Sequence, residues 1–465
     1  MLKPGCVLAF LAALAVAGCS TVERARESQR EAEGRGKGDM VLSGVCPAFD
    51  GSLEEMVSYA LTNRPSMASA RLAVEDARLA LKAIAADAPL ASSTPWNAVD
   101  VNANGGYSAS SAPAHLDKLK GKTSGSWSAA LSLDILIYDF GRNDANARAQ
   151  AERVVAAELA LVDAGYSVFD EVASAYFERM QSAALLEVAL TNEQMRIEHL
   201  AQAEARLQEG EAQRLDVTRA RLDLAEAMEY VVSVSNDFVV AGANLASAIG
   251  LEASCASSLP LSDWRFMKVF APTDSPSVEL FDFARTNAPA MQASRARLRS
   301  ASAAVDYAVA DLRPTLSASL SLNWTDPMWY WRWGVSAAQS IFTGFRKTTA
   351  VDRARVALES AASEVDASEL ALSLSIERAV AERDNAREAF ESARASVESA
   401  FENLETVSAQ LAVGDASRIE YTDAVASYVS ALANCEKAFY RGQIAEAKLF
   451  SLVGVEPQYG NGGEE

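Results

Sequence analysis

The chain holds two histidines in 465 residues, 42 basic side chains against 62 acidic ones, and aromatics at only 8%. His115 and His199 lie far apart with no further ligand spaced around either, so a histidine-built metal site is not expected. A net charge of −20 offers no basic stripe to track a phosphate backbone, which excludes nucleic acid as a partner. After residue 18 no run of 18 or more apolar residues occurs, so no membrane-spanning helix is expected there. Serine is abundant without a Gly-x-Ser-x-Gly elbow. Gly121-Lys122-Thr123 ends like a phosphate-binding loop but has Leu116 where such a loop needs glycine. No enzyme chemistry and no cofactor are expected. What remains is a chain that is half apolar by count, much of it alanine, a composition that favours closely packed helices over thick cores.

The ends and the cysteines set the compartment. Lys3 followed by the apolar run Val7 to Val16 reads as a secretory leader over residues 1–18. Val16-Ala17-Gly18-Cys19 resembles a bacterial lipobox, which would make Cys19 the lipidated first residue of the mature chain. Ser20, rather than Asp, resembles the signal for outer-membrane delivery. A ten-residue apolar run covers only about half of a ~30 Å hydrocarbon core, which argues against a membrane anchor. In an oxidising periplasm a pair of the remaining thiols can bridge. Cys46 and Cys255, both in loop-like sequence beside helices, are the candidates, whereas Cys435 sits within a helical pattern and reads as a small apolar residue.

Length alone suggests about three domains, but the chain repeats itself. Asn63-Arg64-Pro65 returns as Asn287-Ala288-Pro289 at an offset of 224. Further on the offset is 204: Ile137 matches Ile341, Arg142 matches Arg346, Gly210 matches Gly414, and Arg214-Leu215-Asp216 matches Arg418-Ile419-Glu420. The expected plan is a leader at 1–18, a lipidated linker at 19–50, a first repeat at 51–252, an inter-repeat linker at 253–276, a second repeat at 277–456 and a tail at 457–465.

Each repeat has the same order of elements. Helical sequence over 52–87 and 277–311 is interrupted by Pro65 or Pro289; because proline fits the first turn of a helix, each stretch should be two helices. Period-two strands follow, expected at 99–108, 126–138, 315–325 and 329–342. Trp127, Ala129, Leu131, Leu133, Ile135 and Ile137 share one face; Ser126, Ser128, Ser132 and Asp134 share the other. A soluble sandwich would show the same alternation. Trp324, Trp329, Trp331 and Trp333 around one turn suit an interfacial aromatic girdle, and the serine and asparagine faces suit a water-filled lumen. The period then becomes helical, with a 4,3 seam from Val155 through Leu159, Val162, Tyr166, Phe169, Ala173 and Tyr176 to Met180. Long helical hairpins are expected over 142–250 and 345–454, broken at Gly210 and Gly414.

Four strands cannot close a membrane barrel, and open edges in lipid are costly. A homotrimer with twelve strands, continued by a tube of twelve long helices, is the expected assembly. The lipobox, the duplication, the strand-to-helix junctions and the glycine-broken tips together resemble the TolC-type outer-membrane factor family, in its lipid-anchored branch. The family's tip pattern stands here as Arg206, Gly210, Leu215, Asp216 and Val217. In the second copy Gln410, Ile419, Glu420 and Tyr421 replace its Arg, Leu, Asp and Val around Gly414.

The resemblance implies a mainly α fold with a membrane β portion, spanning the outer membrane, that acts as the passive exit duct of a tripartite efflux system. It implies as partners a periplasmic adaptor docking at Arg206, Gly210, Leu215, Gly414 and Ile419, an inner-membrane pump and outer-membrane lipid. It places the acids of a closed periplasmic aperture at Glu420 and Asp423, with Asp216 in the polar contacts of the gate. The family's tether residues are replaced by Leu411 and Ala416, so Arg214 or Arg418 is expected to pair with Asp216 instead. Lipidation favours small toxic compounds as cargo; polypeptide secretion, metal-ion efflux and, in another class, a structural coiled-coil tether are the alternatives.

Overall fold

The computed structural model describes residues 25–30, 46–86, 99–111, 123–210, 213–260, 269–270, 275–325, 328–413, 415–455 and 459–460. The leader, Cys19, His115, Gly414 and residues 461–465 lie outside the described residues. Residues 1–48 form one unit, within which 25–30 are helical, and residues 49–465 form a second.

The second unit is two copies of one plan. The first copy runs α1 (Leu53–Asn63), α2 (Pro65–Ala86), β1 (Val99–Ser111), β2 (Thr123–Tyr138), α3 (Arg142–Gln208) and α4 (Arg214–Ile249). After a 3-10 turn at Ala253–Ser258 and the short β3 (Val269–Phe270) come α5 (Ser277–Asn287), α6 (Pro289–Ala310), β4 (Thr315–Thr325), β5 (Met328–Ala338), α7 (Arg346–Val413) and α8 (Arg418–Val453). A last strand, β6 (Tyr459–Gly460), pairs with β3. Pro65 and Pro289 each open a helix, as their fixed φ and missing N–H require. Ser52 caps α1, its side chain accepting from Glu55 N–H at 3.3 Å. The 67 residues of α3 make a rod of about 100 Å.

Strand order is β1-β2-β4-β5, all neighbours antiparallel. The register puts Val101, Leu133, Leu320 and Trp333 in one cross-strand row, and Ala103, Leu131, Leu322 and Trp331 in the next. One face is therefore apolar across all four strands. The alternate rows carry Asn102, Ser132, Ser321 and Arg332, then Asp100, Asp134, Ser319 and Gly334. Among the described residues nothing covers the apolar face near its edge, where Trp331 and Trp333 are each 68% exposed.

Two expectations change. The tryptophans are not one ring: Trp324 and Trp329 face each other with centroids 6.0 Å apart, while Trp333, four residues along β5, lies about 13 Å further down the strand. And β5 stops at Ala338, short of the expected residue 342, because its neighbour β4 begins at Thr315, Ala338's partner, just after Pro314. Residues beyond have no ladder to join.

Strand becomes helix through a pair of left-handed residues in each copy. Phe140 and Gly141 have φ of 56° and 85°, and Gly344 and Phe345 have φ of 61° and 62°. Phenylalanine there costs roughly 1–2 kcal/mol. In the first copy the Asp139 carboxylate offsets this by accepting from Gly141 N–H at 3.1 Å and Asn143 N–H at 2.6 Å, and Arg313 donates to Phe140 O at 3.2 Å. Asp311 joins the copies, lying 3.3 Å from Arg142 and 3.2 Å from Lys347.

The copies pack on one another unequally. Among the described elements, helix α3 touches α1, α2, α4, α6 and α8, whereas its twin α7 touches only α5, α6 and α8. The main core gathers α1, the middle of α3 and the C-terminal ends of α4 and α8 around Phe177, Met56, Leu245 and Ile249. A smaller one gathers α5, α6, α7 and α8 around Met291, Ile376 and Leu449. Equivalent buried arginines hold the inter-repeat segment: Arg179 donates to Leu259 O at 2.9 Å and Arg383 to Ser275 O at 3.4 Å. Helix α4 contains an 18-residue window of mean hydropathy 1.2, apolar enough by composition to cross a bilayer, of which 39% is buried. Its exposed apolar residues include Leu222, Val232 and Val239.

Candidate functional site at the hairpin tips

The far end of each hairpin is a helix stop followed by a capped restart. After α3, Gly210 adopts φ 80°, a conformation open to glycine, and a Cβ there would meet nothing within 4 Å. Backbone geometry alone therefore selects glycine at this tip. Helix α4 restarts with the Asp216 carboxylate accepting from Gln213 N–H at 3.0 Å. At the second tip Asp415 N–H closes back on Gln410 O at 2.9 Å. There Ser417 and Glu420 form a reciprocal capping box: Glu420 accepts from Ser417 N–H at 2.6 Å and donates its own N–H to Ser417 Oγ at 3.2 Å. These bonds to Ser417 hold the Glu420 carboxyl below its ordinary pKa.

Both Asp216 and Glu420 thus fasten the start of their own helix. Asp423, one turn on, is exposed. Arg418 Nη1 lies 3.9 Å from Asp216 Oδ1, so the second tip reaches the first by charge. The contact lacks hydrogen-bond geometry, since Arg418 Nη1 is buried without a bonded partner. Arg214, the other expected tether, is exposed beside its helix start. Leu215 and Ile419 are exposed apolar residues at the two tips. Ala203, Val217 and Ala220 close a small core under the first, with Leu200 and Leu207 against it.

The residues that join the tips were not singled out from the sequence. His199 is 6% exposed, stacks 5.3 Å from Tyr421 and has a buried Nδ1 with no partner. Burial pushes its pKa down, and the nearby Arg418, Arg196 and Arg206 push the same way against Asp223. Buried Arg196 lies 3.9 Å from Asp223. The signal was present in the repeat: at the offset of 204, Arg196, His199 and Asp223 correspond to Ala400, Asn403 and Ser427. In the second copy those small residues line an open cavity of about 580 Å³, together with Ser392, Ser396 and Ser399. Where the first hairpin carries a polar network, the second carries serine, alanine and asparagine around a shallow, open depression.

Cys46 and Cys255 are each disulfide-bonded, and among the described residues Cys435 is the free thiol. Among the described residues no group of three metal-binding side chains is found.

Several solved structures share this architecture. A membrane protein from Pseudomonas aeruginosa superposes with TM-score 0.75 at 22% identity, over 87% of this chain and 94% of that one. The outer membrane protein VceC of Vibrio cholerae gives 0.73 at 18% identity, over 87% and 96%. The CmeC outer membrane channel of Campylobacter jejuni gives 0.74 at 16%, over 89% and 86%. At these identities the likeness is one of fold. No curated protein sequence matches. A family profile described as outer membrane efflux protein matches residues 56–251 and 280–455, one match per repeat and most of the chain between them, and on that ground the chain belongs to the outer membrane efflux protein family.

Proposed function

We propose that three copies of this efflux channel subunit, each lipid-anchored through Cys19, close into a passive duct across the outer membrane. Small toxic compounds delivered by an inner-membrane pump and a periplasmic adaptor would leave through it. The observation that carries this reading is the four-stranded sheet. Among the described residues its apolar face is uncovered toward β5, its other face is serine, asparagine and charge, and β1 and β5 each keep one edge without a partner strand. Such edges in lipid leave backbone groups unpaired at several kcal/mol each. Three copies give twelve strands and remove every edge. The lipid anchor favours small compounds over polypeptides as cargo.

At the far end the Arg418 to Asp216 contact supports a closed aperture. Through the repeat, Arg214 corresponds to Arg418 and Glu420 to Asp216, so Arg214 of one copy would meet Glu420 of the next. Asp423 then adds one free carboxylate per copy to a narrow ring, which would bind cations. Arg206, Gly210, Gly414 and the exposed Leu215 and Ile419 form the adaptor-facing tips. The test is single-channel recording of the purified protein in planar bilayers. Wild type should conduct and be blocked by multivalent cations, and the block should weaken in Glu420→Ala/Asp423→Ala. Absence of pores overturns the duct; unchanged block overturns the gate.

A further inference from the structure

We infer that α2 of one copy seats on α7 of a second copy, and that this seam is keyed by Lys82 against Asp352 and Asp76 against Arg353. The inference rests on the proposed ring and adds what joins one copy to the next. Within the chain α6 lies between α3 and α7, whereas among the described elements α2 touches only α3 and α1. On α6 the face bearing Ala296 and Ala303 is buried, at 0% and 7% exposure. The same positions on α2, 224 residues earlier, are Leu72 and Leu79, which are 69% and 54% exposed. Two leucines one heptad apart, bare where their twins are buried, mark a helix face made for a neighbour. The equivalent neighbour is α7, the twin of α3. Because α2 makes no contact with α7 of its own chain, it belongs to another copy.

The polar contacts of the in-chain seam supply the key. There Arg148 Nη1 lies 3.5 Å from Asp306 Oδ2, and Ser300 Oγ donates to Ala149 O at 2.8 Å. Moving 204 residues along the long helix and 224 along the short one turns Arg148 into Asp352, Asp306 into Lys82, Ala149 into Arg353 and Ser300 into Asp76. All four of these residues are exposed. The basic member has moved from the long helix to the short one. An α2 placed where α6 sits on α3 would set Lys82 against Arg148, and an α6 placed on a second copy's α7 would set Asp306 against Asp352. Attraction in one order and repulsion in the other make the two half-units alternate around the ring, which is how coiled-coil partners are sorted. Lone exposed pairs add little stability, so their effect is on which seam forms.

The test uses the full-length chain in outer-membrane vesicles with Cys435→Ser. Lys82→Cys with Asp352→Cys, treated with a short bismaleimide, should move most chains into dimer and trimer bands. Lys82→Cys with Arg148→Cys should leave them monomeric. Asp352→Lys alone should lower the temperature at which the trimer dissociates, and adding Lys82→Asp should restore it. A trimer by native mass spectrometry that fails to cross-link at 82 and 352 overturns the seam and leaves the duct standing. No trimer overturns the duct itself. A double charge reversal no better than the single one overturns the keying.

Discussion

Mild acid should loosen the contact between the two hairpin tips, and His199 should be the cause. Its imidazole is buried against Tyr421 with Arg196 and Arg206 on its own helix, Arg418 on α8 and Asp223 on α4. Burial first, then the arginines, depress its pKa, so the fold holds it neutral. The unfolded or opened chain binds the proton more readily, so this contribution to stability is complete above the ordinary value of about 6.5 and is lost as pH falls below it. With an unfolded value of about 6.5, the linkage cost of moving from about pH 7.5 to about pH 5.5 is at most RT ln 10, roughly 1.4 kcal/mol per chain and about 4 kcal/mol for three copies. Hydrogen exchange of peptides spanning 415–425, corrected for the intrinsic pH effect, should speed up about tenfold over that range. Peptides from the middle of α7 should not change. His199→Asn, which installs the residue found at the equivalent Asn403, should abolish the dependence. An acid response that persists in this variant, or a His199 that titrates at or above 6.5 by NMR, would refute the reasoning.

Glycine and membrane-face substitutions give further checks. Gly454→Ala should destabilise more than Gly210→Ala, because both positions have φ above 70° but a Cβ at 454 would stand 3.1 Å from Pro289 Cδ and one at 210 meets nothing; chemical denaturation should show about 1 kcal/mol for the latter and more for the former. Trp331→Arg, on the bare apolar face, should block membrane insertion, since arginine near the bilayer midplane costs about 2–4 kcal/mol, while Ser319→Arg on the opposite face should assemble and conduct less; equal insertion of both would reverse the assignment of faces. Because Cys46 and Cys255 are each disulfide-bonded and Cys435 is free, a maleimide added without reductant should label position 435 and leave 46 and 255 unmodified until reductant is added.

Much of the fold could be read from the repeat. The paired offsets of 224 and 204 foretold eight helices in two equivalent sets, and Pro65 and Pro289 marked helix starts because the ring tolerates only that position. Period-two alternation placed four strands and sorted their faces. The end of β5 was not legible, because a strand stops where its neighbour stops and that neighbour's limit is set by Pro314, just before β4. Nor were the left-handed residues: Phe140 and Phe345 adopt a backbone that their side chains disfavour, held there by Asp139 and Arg313 in the first copy. At the first tip Gly210 was legible as a helix break, whereas Asp216 and Glu420 were expected only as gate acids by resemblance, and their capping of α4 and α8 was not read. His199, Arg196 and Asp223 were not legible, because an antiparallel hairpin brings together residues more than 20 apart in sequence. Their departure from the second copy was the available sign, as the matched Arg179 and Arg383 were for the linker clamp.

The left-handed pairs at Phe140-Gly141 and Gly344-Phe345 leave no slack between sheet and rod. Each long helix is a lever whose short arm is bolted to the membrane sheet. Over the roughly 100 Å of α3, a tilt of about 1° at the elbow displaces the far tip by about 1.7 Å. The 3.9 Å contact between Arg418 and Asp216 would therefore open under a change of direction too small to disturb any strand pairing, and a partner gripping the tips would need to supply torque rather than unfolding.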